Sequence, residues 1–301
     1  MKVYYKRAVE GVTVPAVIHN GSYFYIDMPV YEDGIVSCWK EVALADVPGV
    51  IQSGWLTSSV PEGKTLVVHG LTEFRLQNAV WDWAGDAFFE YIQSVVKSMN
   101  HKMEGIYAIS AEKKELWEKR RVEWGATGTP FSVSGDYGYT RREGRSTHVF
   151  TAFAGVVRLE NITAFADGTY ALGSLGTVTE DELNARFAQN LIFTTPPLGA
   201  PIHMDALGVA CASEIVWAVS AEEKRKEIFD YKNALNDKPT LHDAAVSAYH
   251  AYLEDPTDYH REKLRAAYEA VPEHERLYLG DMDSKDWDYQ RILYSDEKRQ
   301  V

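Results

Sequence analysis

The chain has 301 residues, of which 46% are hydrophobic and 25% charged, so it can bury a substantial core and lacks the composition of a disordered protein. Its formal net charge of −13 disfavours nucleic acid and anionic membranes as partners and favours a basic or cationic one. Cys38 and Cys211, the only cysteines, support neither a disulfide framework nor a thiolate zinc site.

Turn signals define the first β region. Asn20-Gly21 and Asp33-Gly34 each lie between short aromatic or β-branched runs, and such dipeptides favour type I′ turns, in which both central residues have positive φ. They predict an antiparallel three-stranded meander with strands at 12–18, 22–28 and 35–39. Two further strands, at 65–69 and 73–76, follow the turn at 61–64.

The hydrophobic period then changes to that of a helix. Apolar residues spaced by three, four and seven positions predict an amphipathic helix over 86–99. A second helix is predicted from the N-cap Ser110 to about residue 124. Because 125–130 is rich in Gly, Thr and Pro, the chain is divided into domains 1–125 and 126–301.

A second β region, 131–172, contains Asp167-Gly168 and predicts strands at 147–153, 156–159, 162–165 and 169–171. From residue 179 onward the pattern is mostly helical. The predicted helices are 180–189, 204–219, 221–235, 241–254 and 258–270, with a shorter one after residue 284. The chain is therefore predicted to be an α+β protein, in which antiparallel β-meander regions alternate with helical regions and the C-terminal third is mostly helical.

Helix starts after the second β region carry recognisable caps. Thr179 with Glu182 and Ser220 with Glu223 have capping-box spacing, and 240–243 is a weaker version. The octapeptides 107–114 and 217–224 resemble each other. We interpret that echo as two similar Ser-capped helix starts rather than as a duplication, because their flanks do not align.

Motifs for catalysis or cofactor binding are absent from the sequence. There is no HExxH, no P-loop, no GxGxxG and no GxSxG, so neither a metal nor a cofactor is expected. The N-terminal residues 1–14 lack the apolar core of a signal peptide. The most apolar window, 206–220, is too short to span a bilayer, so a cytoplasmic location is expected.

One local cluster of basic residues contrasts with the acidic chain. Arg141, Arg142 and Arg145 occur within five residues, and His148 follows on a predicted strand. Guanidinium groups pair bidentately with carboxylate or phosphate, so these four residues form a candidate anion-binding site. The alternative is a charged hairpin tip with no ligand.

The segments 17–24, 30–34 and 37–39 resemble the opening of an uncharacterised domain family of bacterial genomes. The resemblance continues at 61–63 and 69–71 and covers roughly the first 110 residues. It implies a bacterial origin and carries no activity and no functional residue.

Two functions from different classes are compatible with these patterns. The first is a noncatalytic interaction protein of the bacterial cytoplasm, such as an immunity or antitoxin-like protein with a protein partner. The second is an enzyme that acts on a phosphorylated or carboxylated small molecule through the Arg/His cluster. A deep pocket that joins the cluster favours the enzyme, whereas a broad acidic or aromatic surface favours the interaction protein.

Overall fold

The computed structural model describes residues 11–106, 144–173, 175–281 and 283–295. It is an α+β protein in which the described strands join a single curled sheet. The strands are β1 Gly11–Asn20, β2 Ser22–Tyr31, β3 Ile35–Ser37, β4 Glu41–Ala43, β5 Leu56–Thr57, β6 Thr65–Val68, β7 Thr72–Trp81, β8 Gly144–Phe153, β9 Val156–Phe165, β10 Thr169–Leu172, β11 Gly176–Thr179, β12 Ile192–Phe193, β13 Pro201–His203 and β14 Gly208–Ala218.

Helices flank the sheet and form the C-terminal part of the described chain. They are α1 Val47–Gln52, α2 Asp86–Met99, α3 Glu180–Ala188, α4 Ala221–Leu235, α5 Leu241–Glu254, α6 Asp258–Ala270 and α7 Trp287–Tyr294. Short 3-10 helices occupy Leu44–Asp46, Asp205–Leu207 and Glu273–Tyr278. Among the described residues, no helix combines the length and apolarity needed to cross a bilayer.

The two β regions have the same topology. In each, a long hairpin (β1–β2 or β8–β9) is followed by a short hairpin (β3–β4 or β10–β11) and a helix. A two-residue strand then pairs with the first strand of the long hairpin, and the next strand pairs in parallel with the second. A long antiparallel strand and a helix, α2 or α4, complete each unit. We call residues 11–99 the first repeat and 144–235 the second.

Hydrogen bonds outside the ladders repeat as well. Gly63 donates its backbone N–H to the carbonyl oxygen of Leu76 at 3.1 Å, and Gly199 donates to Ala212 at 2.8 Å, 136 positions later. The Asp33-Gly34 and Asp167-Gly168 turns are equivalent in the same way, 134 positions apart. The similar octapeptides 107–114 and 217–224 are separated by a different number of positions, and the first of them lies outside the described residues.

A pseudo-twofold axis relates the repeats. Strands β7 and β14 are antiparallel neighbours at the centre of the sheet, and the equivalent residues Leu76 and Ala212 face each other. The carbonyl oxygen of Leu71 accepts from the N–H of Val219, and that of the equivalent Leu207 accepts from Asp82. The two predicted β regions are therefore halves of one sheet, and they are not separate sheets.

The hydrophobic layers follow this symmetry. One buried cluster lies in the interior of the curled sheet and takes equivalent residues from both repeats, such as Leu66 with Ile202 and Val68 with Met204. Outside the sheet, one cluster packs α1 and α2 on the first repeat and another packs α3 and α4 on the second. Helices α5, α6 and α7 share a fourth cluster of their own.

The predicted meander is present, but its turns differ from the type I′ prediction. Strands β1, β2 and β3 pair in antiparallel order as expected. Only the glycine of each turn dipeptide has positive φ, +76° at Gly21 and +81° at Gly34. The N–H of Gly34 bonds to the carbonyl oxygen of Tyr31, so Gly34 closes the turn and Asp33 accepts from Ile35.

The helix predicted over 204–219 is wrong, because β14 occupies Gly208–Ala218. Small residues at its start suggest a helix by propensity alone. The segment lies beside β7, however, where a strand satisfies its backbone groups and completes the sheet. Tertiary pairing therefore overrides local preference. The helix predicted from Ser110 lies outside the described residues.

The predicted caps are largely confirmed. Thr179 with Glu182 and Thr240 with Asp243 form complete capping boxes. Ser220 accepts a hydrogen bond from the N–H of Glu223, but the Glu223 carboxylate instead accepts from the N–H of Glu273 at 2.9 Å. This hydrogen bond links the start of α4 to the C-terminal 3-10 helix.

We predict that Gly34→Ala destabilises the fold more than Gly21→Ala. Both substitutions place a side chain at positive φ, which costs about 1–2 kcal/mol. A Cβ at position 34 would in addition lie 2.8 Å from Cγ2 of Ile106, whereas position 21 is open. Chemical denaturation measures both, with Gly49→Ala in α1 as a control, since that site is open and its φ is ordinary. Equal losses at positions 21 and 34 would contradict the Ile106 contact.

Candidate functional site

The predicted anion cluster is not assembled by its described members. Arg145 and His148 lie on opposite faces of β8, because they are three positions apart on a regular ladder. Arg145 is exposed and stacks over the ring of Tyr231 on α4 at 5.5 Å, whereas His148 points into the curled sheet. Arg141 and Arg142 lie outside the described residues.

His148 belongs to a polar group on the pseudo-twofold axis, which we call the axis cluster: Tyr25, Asp27, His148 and Asn161. Nε2 of His148 lies 2.9 Å from Oδ2 of Asp27, and Asn161 donates to the same oxygen at 2.5 Å. Tyr25 packs edge-on against the imidazole at 5.2 Å. Burial alone raises the pKa of Asp27, but the charge and hydrogen bonds of His148 and Asn161 outweigh it and lower that pKa.

Asp27 and Asn161 are equivalent positions of the two repeats, and they contact each other directly. Two aspartates at such a contact would repel each other, and one would be held protonated. The amide in the second repeat replaces that repulsion with a hydrogen bond.

A second polar group, the junction cluster, lies between β8, α4 and the C-terminal 3-10 helix: Thr147, Lys224, Glu227, Tyr231 and His274. Lys224 is fully buried, and its Nζ lies 2.7 Å from Oε2 of Glu227 and donates to Oγ1 of Thr147 at 3.0 Å. His274 contacts the same Glu227 oxygen at 2.8 Å, and Tyr231 donates to Oε1 at 2.6 Å. Lys224, His274 and Tyr231 thus converge on one carboxylate, and Thr147 contacts the Lys224 ammonium.

The electrostatics of the junction cluster keep Glu227 ionised. Burial raises its pKa, but the hydrogen bond from His274 and the charge of Lys224 outweigh that effect and lower it to about 2. Burial lowers the pKa of Lys224, and Glu227 opposes that change. The neighbouring Glu275 has a raised pKa because of its burial and the negative charge of Glu227.

Exposed groups continue the cluster to the surface. The hydroxyl of Tyr278 lies 2.9 Å from Nε2 of His69, which is on the turn between β6 and β7. Burial and the positive charge of Lys224 lower the pKa of His69. Gly70 lies beside this turn, and a Cβ there would come within 3.7 Å of Nζ of Lys224. The turn therefore covers the buried ammonium.

Three residues in and beside the junction cluster have the spacing of metal ligands. Glu227, His274 and Glu275 each offer one ligand atom, and these atoms lie within 4.8 Å of one another. Lys224 already provides the positive charge beside the shared carboxylate, and its ammonium would repel a cation there. The donor set therefore fits an internal ion pair better than a metal.

The junction cluster is specific to the second repeat. The buried positions of α2 and α4 align when Phe88 is matched with Lys224 and Ile92 with Ile228. At the strand position equivalent to Thr147, the first repeat has Val14. The first repeat thus has the apolar pair Val14 and Phe88, whereas the second repeat has Thr147 and Lys224 at the equivalent positions. This polar pair lies beneath the C-terminal 3-10 helix.

The C-terminal helices form an open groove of about 490 Å³. Its floor is Tyr268 of α6, and its walls come from the 3-10 helix and α7. We call it the aromatic groove, and its lining residues are Tyr268, Glu273, Arg276, Leu277, Asp286, Gln290 and Tyr294. No sequence motif marks this groove, although its lining residues Gln290 and Tyr294 follow Trp287 at the i+3 and i+7 spacing of one helix face.

Family models divide the chain into the same two parts as the structure, the repeats and the C-terminal helices. A family model described as "Domain of unknown function (DUF7638)" matches residues 1–103 and 133–239, which include both repeats. The chain belongs to this family. A second model, described as "Domain of unknown function (DUF7639)", matches residues 240–300, the region of α5 to α7. No curated protein and no solved structure matches the chain.

The family match extends the resemblance found in the sequence. That resemblance was assigned to roughly the first 110 residues, but the DUF7638 match continues to residue 239. The two family models meet between residues 239 and 240, and the junction cluster joins them there: Lys224 and Glu227 lie in the first match, and His274 lies in the second.

We predict that the stabilisation from Glu227 is lost in acid. Its pKa is about 2 in the folded protein and 4.5 without interactions, so its contribution is complete above pH 5 and declines as the pH falls toward 2. Glu227→Gln should therefore be less stable than the wild type at pH 7 by several kcal/mol. The difference should narrow by about 2 kcal/mol at pH 3.

Denaturant unfolding at both pH values measures that difference. Glu90→Gln, at an exposed position of α2, removes the same charge outside the cluster and should show little change. A gap between wild type and Glu227→Gln that stays constant or widens in acid would contradict the depressed pKa.

We also predict that Asn161→Asp destabilises the protein by about 1–3 kcal/mol at pH 7, because two carboxylates then share the axis. The loss should shrink as the pH is lowered, because one of the two carboxylates is then protonated. Exchanging the two residues in an Asp27→Asn, Asn161→Asp double variant should recover part of it, since an amide again faces a carboxylate. Asn20→Asp, at an exposed position with an ordinary φ, is the control for added charge. A double variant no better than Asn161→Asp alone would count against the axis contact.

Proposed function

We propose that this chain is a noncatalytic interaction protein of the bacterial cytoplasm, and that it binds a basic protein partner through its C-terminal helical region. An immunity or antitoxin-like role is the form of this function that we favour. The observation that carries the proposal is the set of exposed aromatic side chains on that region. Trp287, Tyr259, Tyr294 and Tyr278 are 65%, 63%, 56% and 51% exposed.

Exposed aromatic residues support binding because tyrosine and tryptophan are enriched in protein interfaces and supply most of their hot spots. The four side chains lie on α6, the 3-10 helix and α7. Three of them, Tyr278, Trp287 and Tyr294, come from the two segments that form the walls of the aromatic groove. A surface of this kind fits the aromatic alternative expected for an interaction protein.

Charge supports a basic partner. The whole chain carries −13, and Asp281, Asp283, Asp286 and Asp288 lie within eight residues at the start of α7. An acidic surface accelerates association with a basic protein and repels polyanions. A toxin that acts on nucleic acid needs a basic surface, and an acidic immunity protein would complement it. The same charge disfavours binding of nucleic acid or anionic membranes to this chain.

Two described members of the Arg/His cluster, on which the enzyme alternative depends, do not lie together. That alternative required Arg141, Arg142, Arg145 and His148 to converge, and Arg145 and His148 lie on opposite faces of β8. The imidazole of His148 faces the Asp27 carboxylate, which is its charge partner, rather than a free anion site. A thermal-shift screen of nucleotides, sugar phosphates and dicarboxylates tests this alternative, and we expect no stabilisation.

We predict that partner binding depends on the C-terminal aromatic residues. The purified chain, immobilised, should retain a basic protein when mixed with the soluble fraction of its native host. Trp287→Ala with Tyr294→Ala should reduce that retention by tenfold or more, because two hot-spot aromatics together contribute more than about 1.4 kcal/mol. Mass spectrometry identifies the retained protein.

Matched changes on the first repeat serve as the control. Trp39→Ala with Val80→Ala removes two side chains that are 54% and 68% exposed, away from α5 to α7. These changes should leave retention unchanged. Retention that is insensitive to the C-terminal variant, or that is lost equally in the control, would contradict the proposed surface.

A further inference from the structure

We infer that the aromatic groove is the site that receives an arginine side chain of the protein partner. This inference rests on the proposed function and specifies the chemistry that the C-terminal surface recognises. The groove combines two tyrosine rings with the carboxylates of Asp286 and Glu273, and it has a volume of about 490 Å³.

Aromatic rings and an alkyl chain provide the walls. Tyr294, which is 56% exposed, and Leu277, which is 39% exposed, line the groove, and the buried Tyr268 forms its floor. Trp287 is 65% exposed and lies one helical turn before Gln290, a lining residue. A planar guanidinium stacks on such rings, whereas a carboxylate or phosphate gains nothing from them.

The polar groups of the groove carry a net negative charge. Asp286 accepts from the hydroxyl of Tyr268 at 2.6 Å and from Gln290 at 3.0 Å. These hydrogen bonds outweigh burial and lower the pKa of Asp286, so its carboxylate is charged at neutral pH. Glu273 lines the same groove and is exposed.

Arg276, the cation among the described residues that line the groove, already has partners. Arg276 donates from Nε to the carbonyl oxygen of Val271 at 3.0 Å and from Nη2 to that of Glu269 at 3.1 Å. Its guanidinium lies 4.9 Å from the centre of the Tyr268 ring. Arg276 therefore occupies one face of the Tyr268 ring, with Nε and Nη2 bonded to the backbone, so an arginine of the partner would stack on the exposed Tyr294 ring instead.

The complete chain can be titrated with the peptide Gly-Gly-Arg-Gly-Gly by calorimetry or NMR. The same peptide with citrulline in place of arginine keeps the planar shape of the side chain and removes its positive charge. The lysine peptide keeps the positive charge and removes the planar guanidinium. We expect the arginine peptide to bind at least tenfold more tightly than the citrulline peptide and severalfold more tightly than the lysine peptide. Equal affinity of any two of these peptides would overturn the assignment.

Variants place the binding in the groove. Asp286→Asn should weaken the arginine peptide about threefold to tenfold, and Trp287→Ala should weaken it severalfold. Asp82→Asn, at an exposed position of the first repeat, removes the same charge and should leave affinity unchanged. If Asp286→Asn disturbs folding, Trp287→Ala decides the result, because that side chain is largely in solvent. A loss in Asp82→Asn equal to that in Asp286→Asn would show attraction by the overall charge and overturn the site.

Failure of this inference differs from failure of the proposed function. If the host protein is retained through Trp287 and Tyr294 while the arginine peptide does not bind, the groove assignment is wrong and the interaction surface stands. If the arginine peptide binds in the groove while no host protein depends on these residues, the proposed function is wrong.

Discussion

The antiparallel pairing of β7 with β14 is the interaction on which the rest of the structure depends. Each strand would otherwise be the open edge of its repeat, with unpaired backbone groups and half of an apolar interior facing water. Pairing at Leu76 and Ala212 satisfies these groups. It also encloses one buried cluster that draws residues from both repeats. The two β regions therefore share one sheet and one interior cluster.

Symmetry at the axis restricts the sequence. Residues on the axis meet their own equivalents, and a charged residue there would meet a like charge. Asp27 and Asn161 remove that conflict because one is an acceptor and the other a donor. The small Ala212 opposite the larger Leu76 is a second difference at a self-facing position. Two repeats within one chain can differ at such positions, whereas identical chains in a symmetric dimer cannot.

The sequence predicts local features well and long-range ones poorly. The helices 86–99, 221–235, 241–254 and 258–270 and the glycine turns depend on residues close in sequence, and the structure contains them. The topology depends on contacts such as that of Leu76 with Ala212, 136 positions apart. Although the spacing of Asp33-Gly34 and Asp167-Gly168 records the repeat, the more obvious octapeptide echo has another offset.

The polar clusters escaped prediction for a related reason. Lys224 lies in a charged run that is typical of a solvated helix face. Its burial is visible only through the spacing of Ile228, Tyr231 and Leu235 along the same face, which places Lys224 in an apolar stripe. His274 comes from a segment with no periodic signal. Their contact through Glu227 depends on how the C-terminal region docks, which no local pattern encodes.

The C-terminal region breaks the symmetry of the repeats, and this asymmetry accounts for the position of the candidate surface. Helix α2 packs its apolar face onto the first repeat with Phe88, whereas α4 has Lys224 at the matching position. A buried ion pair adds little net stability compared with apolar packing, but it tolerates few alternative arrangements because each charge requires its partner. The Lys224, Glu227 and His274 contacts therefore fix the 3-10 helix on the second repeat. Because the same 3-10 helix forms one wall of the aromatic groove, the junction cluster positions the groove. A substitution in the cluster should therefore alter ligand binding in the groove without altering any groove residue.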